Sequence, residues 1–177
     1  MLTKNLHSLL LAAAPLLLGV QLGAIRAARA EGGTVIPEEA RPRGMVLLME
    51  RVVAGGKQAI GVYGITPDAQ QPGVFRVKVW DETPNNVVVR NETIRCSKEE
   101  PLRVTSDGTY LFVRSLNPGG PITLANRIDH LVWWATCVPE HGGKDPATLK
   151  SVARQLGYTG NLVESEQVLP GGGVGRR

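Results

Sequence analysis

The stretch LRVTSDGTYLFVRS, residues 102–115, decides the fold class. Asp107-Gly108 stands between two runs in which apolar and polar residues alternate. A period of two is how a strand turns one face to a core and the other to water, and Asp-Gly reverses a chain tightly because glycine accepts positive φ. The segment predicts an antiparallel hairpin with strands at 102–106 and 109–115.

The same signals continue upstream. Residues 87–96 read as a longer strand, preceded by the turn Thr83-Pro84-Asn85-Asn86. In 74–81, Phe75, Val77 and Val79 fall on one face and Arg76, Lys78 and Trp80 on the other. Residues 45–53 and 57–65 form a second predicted hairpin around Ala54-Gly55-Gly56. Downstream, Asn117-Pro118-Gly119-Gly120-Pro121 breaks the chain, with Arg114, Asn117, Asn126 and Arg127 placed to satisfy its backbone carbonyls.

Residues 129–137 then read as another strand. Leu131, Trp133, Ala135 and Cys137 would share one face, and His130, Val132, Trp134 and Thr136 the other. Both faces are mostly apolar, as in a strand covered on both sides. One helix is signalled at 145–157, where Asp145 caps, Pro146 takes the first position and Gly157 ends it. Leu149, Val152, Ala153 and Leu156 would pack down. A last strand is expected at 161–169, with Glu164 and Glu166 on its water side. The expectation is a mainly β fold: a sandwich or barrel of about eight strands with one C-terminal amphipathic helix.

The N-terminus sets the compartment. Lys4, the apolar run 9–25 and Ala28-Arg29-Ala30 follow the charge, greasy core and small-residue order of an export signal. Residues 1–30 are therefore read as a signal peptide, 31–44 as an extended arm, 45–169 as one β-rich domain and 170–177 as a flexible tail. At 17 residues the apolar run is marginal as a permanent anchor, for which about 20 are needed. Removing 1–30 takes Lys4, Arg26 and Arg29 from the 20 basic residues and none from the 16 acids, so net +4 becomes +1. No basic stripe with stacking aromatics remains, and a nucleic-acid binder is not expected. The expected location is periplasmic or extracellular, or the thylakoid lumen in a photosynthetic host.

An even cysteine count in an exported chain favours a Cys96–Cys137 disulfide. The competing chemistry lies in Cys137-Val138-Pro139-Glu140-His141-Gly142-Gly143, which resembles the copper loop of cupredoxins. That resemblance implies a thiolate, two imidazoles and a weak axial Met. After the leader only His130 and His141 remain as imidazoles, and no Met follows His141. A zinc set of Cys96, His130, Cys137 and His141, or a Cys137–His141 nucleophile pair, would draw on the same residues. No phosphate-binding loop, nucleophile elbow or His-Glu-x-x-His is present.

No catalytic residue and no cofactor are expected. The reading is an exported, soluble, non-catalytic domain acting as a binding, structural or assembly partner, with another envelope or extracellular protein as its counterpart. Trp80, Trp133 and Trp134 are the candidate contacts, since an indole on a strand face can anchor a partner. The alternative is a redox or metal-binding protein centred on Cys137 and His141.

Overall fold

The computed structural model describes residues 36–171. The predicted export signal, the start of the predicted arm and the predicted tail beyond Gly171 lie outside the described residues.

Seven strands form one antiparallel sheet in sequence order: β1 (Val46–Val53), β2 (Gly56–Pro67), β3 (Val74–Thr83), β4 (Asn86–Arg95), β5 (Leu102–Ser106), β6 (Tyr110–Ser115) and β7 (Ser165–Pro170). Both predicted hairpins are present. In the β5–β6 turn Gly108 supplies the positive φ of 94°, while Asp107 accepts the amides of Thr109 and Tyr110 at 2.8 and 2.7 Å. The fold is mainly β, but among the described residues the sheet stays open: β1 and β7 are its two edges, and it does not close into a barrel.

The second layer is helical, because 127–137 is not a strand. Arg127–Cys137 forms helix α1, packed against β1 to β4. The period-two reading failed because this run is buried nearly all round, its polar Asp129, His130 and Thr136 included. A segment buried on every side shows no face, so periodicity cannot separate strand from helix. The end signals could have done so. Asn126 stands at the N-cap, Asp129 lies in the first turn, and Pro139 follows the end.

Register assigns the sheet faces. Val62 opposite Val79, and Val77 opposite Glu92, put Ile60, Val62, Val77, Val79 and Ile94 on the face beneath α1. Val132, Trp133, Trp134 and Ala135 complete this core at 0–1% exposure. Each large apolar side chain so buried contributes on the order of 1.5–3 kcal/mol before entropy is set against it.

The opposite face is partly covered by the arm at 36–45. Met45 occupies the space that a side chain at Gly61 would need, and Arg41 reaches Glu82 and Glu50.

The expected late helix is broken in two. Asp145 caps a 3-10 turn, Pro146–Thr148, by accepting the Ala147 amide at 3.0 Å. Helix α2 then covers only Lys150–Gln155, and Gly157 ends it with φ +91°. Leu149 and Ala153 pack inward. The disulfide Cys96–Cys137 joins the segment after β4 to the end of α1, with Cα atoms 5.4 Å apart. Among the described residues no helix is long and apolar enough to cross a membrane.

Candidate functional site

The densest chemistry lies where the N-terminal end of α1 meets β4 to β7. Arg103 on β5 and Arg114 on β6 are directly opposite each other. Two facing guanidiniums repel, and acids placed around them resolve the conflict. Arg103 makes a two-point contact with Glu92, Nε to Oε2 and Nη2 to Oε1, both 2.8 Å. Its Nη1 donates to Asp129 of α1 at 2.6 Å. Arg114 pairs with Glu166 of β7 at 2.6 Å, donates to the Thr105 hydroxyl at 3.1 Å and lies over the Phe112 ring. Burial alone would lower the Arg103 pKa. The hydrogen bonds and charges of Glu92 and Asp129 outweigh it and hold that pKa above the ordinary arginine value.

Glu164, just before β7, is a second hub. Its Oε1 accepts the Asn117 amide at 3.1 Å and lies 2.6 Å from His130 Nε2, and its Oε2 accepts Asn126 Nδ2 at 2.8 Å. One carboxylate thus ties the Pro-Gly-Gly-Pro loop, α1 and the approach to β7 together. Asn126 also donates to the Pro121 carbonyl, as its loop position suggested, whereas Arg127 pairs instead with Asp145. His130 is fully buried, and its Nδ1 has no partner among the described residues. Glu164 is therefore half-buried and turned to internal partners, where the strand reading placed it on the water side.

Two shallow clefts flank Arg114. One, of about 250 Å³, is lined by Asn126, Asp129, Glu164 and Glu166. The other, of about 240 Å³, is lined by Arg90, Glu92, Arg103 and Phe112. Most charged groups around them are held by a neighbour of opposite sign, Arg90 by Asp81, while Glu164 is held by Asn117, Asn126 and His130 and Asp107 by backbone amides. Such an arrangement can present polar groups to a partner.

The residues singled out from sequence are placed elsewhere. Trp133 and Trp134 do not lie on opposite strand faces. They are neighbours on α1 with ring centroids 5.3 Å apart, edge to face, and Trp133 meets Tyr158 in the same way. Trp133 donates to the Arg95 carbonyl at 3.1 Å, while Trp134 Nε1 is buried without a partner. Trp80 does lie on the Arg76/Lys78 face, but its indole donates to Glu82 at 2.8 Å, and Lys78 sits over Tyr63 instead. At 8, 0 and 1% exposure, Trp80, Trp133 and Trp134 present no ring to a partner in this structure.

Cys137 Sγ is bonded to Cys96 Sγ, so it supplies no thiolate to a metal or a nucleophile pair while the bond stands. His141 packs edge-on to Trp134, with Nδ1 3.2 Å from Lys144 Nζ. His130 and Cys137, assigned to opposite strand faces, are two helical turns apart on α1, and His130 is committed to Glu164.

Sequence reasoning missed Glu92, Arg103 and Asp129. The alternation of β5 misleads here: Leu102 and Val104 take the less covered face, and Arg103 points under α1 with 6% exposure. Compared with known proteins, the chain matches no family model, no curated protein and no solved structure.

Proposed function

We propose that this chain is an exported, non-catalytic domain that serves as a binding, structural or assembly partner for another envelope or extracellular protein. One observation carries the reading. The groups best suited to chemistry are committed to internal partners: Cys137 to Cys96, His130 to Glu164, and Arg103 to Glu92 and Asp129. The disulfide suits an oxidising compartment. At the β7 end of the sheet, by contrast, Tyr110, Val168 and Leu169 are exposed, as a contact surface requires.

The test is native mass spectrometry of protein recovered from its own compartment, with a free-thiol count and elemental analysis. The reading expects a discrete complex, two oxidised cysteines and no stoichiometric metal, all unchanged by His141→Ala. One metal per chain together with two free thiols would overturn it in favour of a redox or metal protein centred on Cys137 and His141.

A further inference from the structure

The two edges of the sheet are treated differently. β1 is guarded: a bulge lies between Leu47 and Met49, Glu50 is held by Arg41 and Lys57, and Arg51 reaches Gln58. Bulges and charges of this kind keep an edge from pairing. β7 has neither a bulge nor a lysine, and all six of its residues are exposed. Among the described residues nothing pairs with its outer side.

The groups on that outer side can be named. Gly171 donates to the Thr109 carbonyl at 2.8 Å, while Asp107 donates to the Tyr110 carbonyl on the β5 side. Backbone groups alternate in direction along a strand. Residues 165, 167, 169 and 171 therefore face β6, and Glu166, Val168 and Pro170 face outward. The edge offers the N–H and C=O of Glu166 and Val168, and the C=O of Pro170.

We propose that β7 pairs antiparallel with β7 of a second copy, about a two-fold axis through Gln167, joining two sheets into one. Register selects this arrangement. Centring on Glu166 would oppose like charges, and centring on Val168 would aim the Pro170 ring at the partner's Glu166 carbonyl. Centring on Gln167 sets Glu166 opposite the partner's Val168, and Val168 opposite the partner's Glu166. Each pair exchanges two backbone hydrogen bonds. Every outward donor of β7 is then used, and the contact is self-complementary, as a two-fold interface must be. Charge does not oppose it, because this register sets the strand's one charge, Glu166, opposite the partner's Val168 and leaves it beside Arg114 of its own chain at 2.6 Å. Val168 and Leu169, 52% and 44% exposed, would lose water contact.

The inference goes beyond the partner reading, and the two can fail separately. The test is sedimentation of the full chain together with residue-resolved amide exchange over a concentration series. A dimer is expected, with exchange of the Glu166 and Val168 amides slowed at least ~10-fold as it forms, and Val168→Pro should leave a monomer. Should that variant misfold, Val168→Glu, which opposes the partner's Glu166 while keeping the amide, should also be monomeric. A monomer at all concentrations, or a dimer in which those two amides stay unprotected, overturns the proposal. So does protection that is independent of concentration, or that arises only with a different protein. A monomer that still forms a complex with another envelope protein leaves the partner reading standing.

Discussion

Replacing Arg103 with Met removes the cation that Glu92 and Asp129 share. Glu92 is 3% exposed and Asp129 8%, so neither carboxylate can recover much hydration after the change. Two hydrogen bonds of 2.8 Å to Glu92 and one of 2.6 Å to Asp129 disappear together. Breaking a buried pair from one side costs roughly 3–5 kcal/mol, mostly the penalty of the stranded charge. In an exposed bridge such as Lys57–Glu38, with side chains 47% and 64% exposed, water screens the charge left behind and the loss is small by comparison. Arg103→Met should therefore cost ~4 kcal/mol, lowering Tm by roughly 10–15 °C for a domain of this size. Urea titration of the oxidised protein, followed by fluorescence of the buried Trp133 and Trp134, measures it. The triple variant E92L/R103M/D129L should recover most of the loss, because replacing a whole buried ionic cluster with apolar groups is often neutral. A single-variant cost below ~1 kcal/mol at unchanged m, or a triple variant no better than the single, would refute the reasoning.

Replacing Cys96 and Cys137 with Ala opens a cross-link of sequence separation 41, which in the chain-entropy model lowers stability by about 4 kcal/mol. Calorimetry of this variant against the oxidised parent checks the value. The Arg41 hydrogen bond holds Glu82 below the ordinary carboxylate range, so Glu82 contributes stability above its unfolded pKa of about 4.3, and this is lost as pH falls further through the folded value. Below pH ~4.3 the parent should lose stability more steeply than Glu82→Gln, as chemical denaturation across pH would show. Gly119→Ala combines φ +84° with a new Cβ 2.7 Å from the Ala153 Cβ, and should cost roughly 2–4 kcal/mol in thermal melts. Gly108→Ala, with φ +94° but open space around it, should cost only about 1–2 kcal/mol.

The hairpin strands were legible because alternation marks a buried face and each pair is joined by a turn with its own chemistry. Asp107-Gly108 and Ala54-Gly55-Gly56 mark hairpins by local geometry, and Val77 and Val79 mark the inner face of β3 by alternation. Helix α1 was not legible from periodicity, since Leu131, Val132, Trp133 and Trp134 are all buried and leave no polar face. That one substitution of helix for strand changed the architecture from an expected sandwich or barrel to an open sheet with a helical layer. The Cys96–Cys137 bond followed from count and compartment. The Glu92–Arg103–Asp129 cluster did not follow from anything local, because it joins β4, β5 and α1 across 11 and 26 residues. Glu164 was hidden for the same reason, being 34 residues from His130 and 47 from Asn117.

The central claim is that this chain acts through its folded surface, at the open end of the sheet. Site-specific photo-cross-linking in the native compartment tests it most directly, with the photoreactive residue at Gln167 on β7 and a control at Val52 on the guarded edge. A discrete adduct from Gln167 and none from Val52 is the predicted result, and twice the chain mass would identify a second copy. Efficient adducts at Val52 with none at Gln167, in protein whose fold and disulfide are intact, would contradict it.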